Sequence, residues 1–250
     1  MIMKAEFQNI LGHLRRADQD FGLITEGDKI AVGISGGKDS LLLLKALATY
    51  QKFGIKKFDI VAITVDCTSG NTDFKRLKKF CKDLGVKLII EPSDIFKIVF
   101  DIRKEKNPCS LCSNLRRGIL NTSAVKNNCN KVALGHHADD LIETFLLSML
   151  YEARLNTFSP SSFLDRINVT IIRPMLYVSE QEVISYTARD TDIQNSIYIN
   201  PCPVNHHTQR EYMKNLVKKL NTDIPSARDR ILSALINTDR YNLLPPKKKH

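Results

Sequence analysis

The chain has 250 residues, 43% hydrophobic and 26% charged, with a formal net charge of +10. That length holds one sizeable core with a small appendage, and no apolar run approaches the ~20 residues of a membrane span. The excess of 37 Lys and Arg over 27 Asp and Glu points to a polyanionic partner, most simply RNA or DNA, against the alternative of a generally basic surface.

The N-terminal segment, Met1 to Asp20, is mixed and charged rather than leader-like, so the expected compartment is the cytoplasm, with no membrane partner. Phe7, Ile10, Leu11, Leu14 and Phe21 share a face and predict a helix over 4–24. A strand is expected at 29–34 and a helix at about 38–53. Phe58 to Val65 is rich in β-formers and reads as a second strand. Asp73 to Leu84 reads as a lysine-rich helix ending at Gly85, and Val86 to Ile90 as a third strand. Residues 92–107 carry no regular pattern.

Beyond a cysteine pair, Ser113 to Asn128 predicts a helix, followed by a strand at 131–134 and an apolar helix from Leu141 to about Tyr151. Residues 153–168 read as a loop around Ser159-Pro160-Ser161-Ser162. A strand is expected at 169–172. Ser179 with Glu182 has the spacing of a capping box for a helix reaching Ala188. A short strand is expected near 196–199, then helices at 208–220 and 225–236. Strands alternating with helices of this length imply an α/β fold with a doubly wound parallel sheet, whose ligand sits beyond the carboxyl ends of the strands. The expected organisation is a catalytic domain over 1–200 that includes the N-terminal helix, a helical C-terminal extension over 201–242, and a basic tail over 243–250.

Three constellations carry chemistry. The first is Ser35-Gly36-Gly37-Lys38-Asp39-Ser40, set between the first strand and the first helix of the sheet. Paired glycines let the backbone turn and approach a ligand closely. The helix start offers free N–H groups and the positive end of its dipole, so a phosphate is the natural occupant. The spacing is neither that of a Walker loop nor that of a dinucleotide fingerprint. It resembles the pyrophosphate loop of the ATP-pyrophosphatase group, Ser-Gly-Gly-x-Asp-Ser, whose members cleave ATP between the α and β phosphates.

The second is Gly135-His136-His137-Ala138-Asp139-Asp140, again where a strand meets a helix. Asp140 is placed to bind magnesium or polarise a target base; the plainer alternative is that Asp139 and Asp140 only complement the helix dipole. The third is the pair Cys109 and Cys112. Six cysteines in a cytoplasmic chain argue against a disulfide framework and for metal or redox chemistry at the close pair. His206 and His207 would complete a mixed zinc site. Cys202, between Pro201 and Pro203, would instead give three thiolates for a four-iron cluster with one iron left open. Cys67, Cys81 and Cys129 have no partner at ligand spacing and read as packed or surface thiols.

Together these motifs resemble the tRNA 2-thiocytidine synthetases, iron–sulfur members of the pyrophosphate-loop group with the adenine nucleotide α-hydrolase-like fold. The match runs through the hexapeptide, through Cys109 to Cys112 with Arg116-Arg117-Gly118, through Gly135 to Asp140, and on to Ile172-Arg173-Pro174, Pro201-Cys202 and Gln209-Arg210. The resemblance implies that Ser35, Gly36, Gly37, Lys38, Asp39 and Ser40 hold ATP phosphates with Mg2+. Ala31, Val65, Gly135 and His136 would line the nucleotide site. Asp140, Lys38 and Asp39 would act at the reacting centre. Cys109, Cys112 and Cys202 would ligate a [4Fe-4S] cluster. ATP would adenylate the C2 oxygen of a cytidine in the tRNA anticodon loop, and sulfur from a cysteine desulfurase or another donor would displace AMP. Arg116, Arg117, Lys126 and Arg210 become candidates for tRNA phosphates, and a homodimer is compatible with the pattern. The sequence departs from the family at Tyr151-Glu152-Ala153-Arg154 and after Cys202. Thiolation of a uridine and a non-catalytic, nucleotide-dependent RNA-binding module remain the alternatives.

Overall fold

The computed structural model describes residues 2–104, 108–198 and 209–241. Over these residues the chain forms two compact units, one from Met1–Ala138 and Ser159–Asn205, the other from Asp139–Phe158 and His206–His250.

The first unit is built on a six-stranded sheet. Its strands are β1 (Lys29–Ile34), β2 (Asp59–Asp66), β3 (Lys87–Pro92), β4 (Lys131–Ala133), β5 (Ser161–Leu164) and β6 (Val169–Ile172), in the order β3-β2-β1-β4-β6-β5. All pairs are parallel except β5 with β6. The central strand β1 pairs Ala31 with Val61 on one side and with Val132 on the other. Successive helices wind in opposite senses from β1, which leaves a crevice at the carboxyl ends of β1 and β4, the expected ligand position in such sheets.

Strand alternation sorts the core into two layers. Ile30, Val32, Ile34, Ile60 and Ala62 face a layer formed with α1 (Ile2–Phe21), α2 (Lys38–Phe53), α3 (Lys75–Leu84) and α6 (Glu180–Thr187). Ala31, Val61, Ile63 and Val65 face the other layer, with Ile95, Val99 and the helix α4 (Pro108–Lys126). Both faces are covered, so the central strands read as unbroken apolar runs.

Four elements differ from the sequence reading. Helix α4 begins at Pro108, so both cysteines of the pair lie on its first turns; a proline with fixed φ and no N–H suits the first helical position. A short π-helical stretch occupies Lys97–Ile102, where no pattern was legible. The serine-rich segment expected as loop contains β5, an exposed edge strand that begins just after Pro160 and therefore needs no apolar alternation. Of the strand expected near 196–199, Ser196 closes α7 (Thr191–Ser196), Ile197 and Tyr198 belong to no strand, and residue 199 lies outside the described residues; α7 is capped by Asp190, whose Oδ1 accepts from the Ile193 N–H at 3.0 Å. The backbone N–H of Tyr198 donates to Gly36 rather than to a strand.

The capping box at α6 is present: Ser179 N–H donates to Glu182 Oε2 at 2.8 Å, and Glu182 N–H to Ser179 Oγ at 3.2 Å. Ser179→Ala removes half of it and should lower the unfolding free energy by about 1 kcal/mol, read from the denaturant midpoint.

The second unit contains α5 (Ala138–Glu152, from Asp139 on), α8 (Gln209–Asp223) and α9 (Ala227–Ile236). Ile142, Leu146, Met213 and Val217 form its core, with Ile231 and Leu235 packed against them.

Candidate active site

The loop after β1 is organised by its own serines. Ser35 N–H donates to Ser40 Oγ at 3.2 Å, and Ser40 Oγ donates to the Gly37 carbonyl at 2.9 Å. Gly37 takes the N-cap position of α2. Gly36 adopts φ +92°, and a β-carbon there would lie 2.6–2.8 Å from the ring of Tyr198. That ring covers the loop: the backbone N–H of Tyr198 donates to Gly36 O at 3.2 Å, and its side-chain hydroxyl lies 2.6 Å from the hydroxyl of Thr64, a buried residue near the end of β2. Phe74 meets the ring edge-on, with centroids 5.2 Å apart. Lys38 and Asp39, both partly exposed, pair with each other at 2.9 Å. Tyr198→Phe keeps the ring and loses the hydroxyl contact; we expect a stability loss of about 1 kcal/mol in thermal melts.

The loop after β4 lies directly against this one. A β-carbon at Gly135 would stand 3.1 Å from the carbonyl carbon and oxygen of Asp39 and 3.2 Å from the Ser40 nitrogen, so any side chain there would push the Asp39–Ser40 backbone back by a few tenths of an ångström, and glycine lets the two strand-end loops touch without that shift. His136 and the buried His137 continue the same segment. Ala31, by contrast, is fully buried at the middle of β1, and Val65 is buried near the end of β2. Next to Val65, Asp66 organises the turn that follows β2. Burial pushes its carboxyl up, but hydrogen bonds from Thr68, Thr72 and Gly70 outweigh this and hold it below the usual range.

The thiols of α4 form a graded set. Cys109 is exposed and Cys112 half-buried, one helical turn further along, so both sulfurs share a face. Cys112 packs in the same apolar layer as the fully buried Cys67, which follows β2 and donates its S–H to the Val65 carbonyl at 3.8 Å. The neighbouring Cys67 draws the Cys112 thiol down; burial opposes the shift and the charge of Arg116 adds to it. Leu120 of the same helix lies against Gly33, where a β-carbon would stand 2.8 Å from its Cδ2, so α4 packs on the strand that leads into the glycine loop. Cysteine spacing alone could not have found Cys67. The available signal was strand parity: 61, 63, 65 and 67 point to one face, and α4 packs there. Among the described residues no group of three His, Cys, Asp or Glu is gathered for a metal. Cys202, His206 and His207 lie outside the described residues.

In the second unit, the first turn of α5 carries Asp139 and Asp140, and Glu143 follows one turn on. Arg228 of α9 grips Asp139 with two bonds, Nε–Oδ1 at 2.7 Å and Nη2–Oδ2 at 2.8 Å. Arg210 of α8 meets Asp140 at 3.1 Å and Glu143 at 3.6 Å. The carboxylate read as reactive is thus held by a guanidinium, and the sequence offered no spacing signal for this long-range pairing.

Residues 3–196 match the family described as "PP-loop domain". The chain is 36% identical over 249 residues to a tRNA-cytidine(32) 2-sulfurtransferase of Geotalea uraniireducens, covering 98% of this chain and 97% of that protein. It is 37% identical over 243 residues to the same enzyme of Geobacter metallireducens, covering 95% and 93%. Its fold resembles that of the "U34-tRNA thiolase NcsA from Methanococcus maripaludis with its [4Fe-4S] cluster", with a TM-score of 0.69, 24% identity, and coverage of 92% of this chain and 79% of that one. A serine-bounded glycine loop at the β1–β4 switch point, a helix that opens on two cysteines, and this extent of identity lead to one conclusion: the chain belongs to the PP-loop family of tRNA-cytidine(32) 2-sulfurtransferases.

Proposed function

We propose that the protein is an ATP-dependent tRNA sulfurtransferase that replaces the C2 oxygen of a cytidine in the anticodon loop with sulfur. The observation that carries this reading is that the helix opening on Cys109 and Cys112 packs its Leu120 on Gly33, the strand position that leads into the Ser35–Ser40 loop. A phosphate loop and a thiol pair on one sheet edge suit a reaction that first activates an oxygen and then replaces it.

Backbone N–H groups at the start of α2, with the hydroxyls of Ser35 and Ser40, receive the ATP phosphates. Lys38 leaves Asp39 to follow the departing charge, which frees Asp39 to hold Mg2+. Gly135 and His136 border the nucleotide from the side of β4. The C2 oxygen attacks the α-phosphorus, pyrophosphate leaves, and the poor leaving group becomes AMP. Sulfide then adds at C2 and AMP departs, so that one C–O bond is exchanged for one C–S bond with no net redox change in the base. Asp140, paired with Arg210 at 3.1 Å, is the residue that the family resemblance assigns to the reacting chemistry. Cys109 and Cys112 fit the edge of a [4Fe-4S] cluster: they are two sulfur donors one turn apart, at a helix start that favours thiolates, with a cation nearby. Cys202 would be the third ligand. When bound, the cluster supplies an open iron that carries the incoming sulfur. Basic side chains such as Arg117 and Lys126 hold tRNA phosphates, so binding weakens with salt.

The test is nucleoside mass spectrometry of tRNA from a thiolation-deficient strain supplied with this chain. 2-Thiocytidine should appear with the wild-type protein and vanish with Asp140→Asn. A thiolated uridine in its place would reassign the substrate, and no thiolated nucleoside at all would leave the RNA-binding module.

A further inference from the structure

Helix α3 carries a charge pattern that the reaction above does not use. Its inward face, Leu77, Phe80 and Cys81, is buried. Every exposed position of the helix is charged: Lys75, Arg76, Lys78, Lys79, Lys82 and Asp83. Lys75, Lys78 and Lys82 stand at i, i+3 and i+7, which aligns them along one side over about 10 Å. The carboxylates of the helix are engaged elsewhere: Asp73 Oδ1 accepts the Lys75 backbone N–H at 2.8 Å, and Asp83 pairs with Lys79 at 2.7 Å. The helix α7, which packs on α3, adds one exposed carboxylate, Asp192, against the five cations. Among the described residues Lys75, Lys78 and Lys82 form no ion pair. The helix also starts beside the phosphate loop. β2 runs parallel to β1, so the turn from β2 into α3 lies on the same carboxyl edge of the sheet as Ser35 to Ser40. Phe74, the residue before α3, meets the Tyr198 ring that covers Gly36.

We propose that Lys75, Lys78 and Lys82 bind the phosphate backbone of the tRNA anticodon stem while the reacting base sits at the glycine loop. The proposal rests on the tRNA-thiolation reading given above. The face fits a nucleic-acid backbone better than a protein. Protein interfaces are centred on buried aromatic and apolar anchors and are poor in lysine, whereas α3 exposes no large apolar side chain. Phosphates require only cations at suitable spacing, and a lysine delivers a compact, mobile charge. A row of about 10 Å that begins at the margin of the site reaches phosphates next to the reacting loop, which places the contact on the stem. Such contacts fix the register and orientation of the RNA and leave the choice of base to the pocket.

The test compares three full-length proteins: wild type, the combined Lys75→Gln, Lys78→Gln and Lys82→Gln variant, and a control that removes the same charge outside α3. The control combines Lys4→Gln, Lys52→Gln and Lys57→Gln, all at exposed positions. Fluorescence anisotropy with an unmodified anticodon stem-loop RNA and with the whole tRNA gives Kd as a function of KCl concentration. The α3 variant should bind both RNAs roughly 10- to 100-fold more weakly at about 0.1 M salt, and the slope of log K against log salt should shrink by about 2–3. The control should stay within about threefold of wild type, because exposed charges remote from the RNA are screened. In thiolation assays KM for tRNA should rise while kcat at saturating tRNA is kept. Circular dichroism melts and ATP binding check the fold; Lys78→Gln alone, with a slope change of about 1, carries the comparison if the combined variant is unstable. An equal loss in the α3 variant and the control overturns the proposal in favour of a generally basic surface. Unchanged RNA binding by the α3 variant overturns it as well, and slower turnover with a protein sulfur donor would then give the face to that protein. A loss confined to the whole tRNA also overturns it, by moving the contact off the stem. Wild-type protein that binds neither RNA brings down the tRNA reading itself, a failure visible before any variant is compared.

Discussion

Cys112→Ser should abolish tRNA thiolation and strip the protein of iron while leaving the fold and ATP binding in place. Oxygen is a poor substitute for a thiolate on iron. The fold should survive because Cys112 is only half-buried and the α4 side chains that seal the core lie further along, at Leu120 and Ala124. Iron content, a visible spectrum and nucleoside mass spectrometry check the first half. ATP binding by isothermal calorimetry checks the second. A variant that keeps both iron and product would remove Cys112 from the ligand set.

Gly36→Ala should cost the most at the nucleotide end. The backbone at φ +92° is one that side chains rarely adopt, and the added methyl would stand 2.6 Å from the Tyr198 ring. Strain of about 1–3 kcal/mol follows from the backbone alone. The ring has little freedom to retreat, because its hydroxyl meets Thr64 and its edge packs on Phe74. The loop must therefore move instead. If about 2–3 kcal/mol of loop distortion is transmitted to the phosphate contacts, kcat/KM for ATP should fall by roughly 30- to 150-fold, since about 1.4 kcal/mol is a factor of ten. Steady-state pyrophosphate release measures it. Gly36→Ala combined with Tyr198→Ala should recover part of the loss, which separates the clash from the dihedral strain.

The acid response of the α6 cap is smaller but has a definite sign. Burial raises the Glu182 carboxyl, yet the bonds from His13 and Ser179 more than offset it and bring it from 4.5 down to about 2. A carboxyl lowered in the folded state stabilises above its unfolded value and loses that contribution as pH falls. Glu182→Gln should therefore flatten the decline in melting temperature between about pH 4.5 and pH 2.

Local features were legible in the sequence because the residues that make them are neighbours. Ile30 to Leu47 contains the strand, the loop and the helix of the phosphate site, and Ser179 with Glu182 contains a whole cap. Contacts that join distant segments were not legible. Nothing around Ile197 and Tyr198 shows that the ring settles on Gly36, and their β-branched and aromatic character suggested a strand instead. Cys67 looked solitary because the residues packed in its layer, Cys112 among them, come from a helix far along the chain. The edge strand β5 was hidden for the opposite reason: half its residues face water, so serines there carry no pattern.

The strand order has a consequence for how the protein is made. β1 binds β2 soon after both leave the ribosome, but its other side stays bare until β4 is synthesised, because Ile30 pairs with Lys131 there. For some hundred residues of translation the nascent chain exposes a central strand with unsatisfied backbone groups, a state prone to mispairing with other chains. Chaperone demand during synthesis should accordingly peak before residue 131 has emerged.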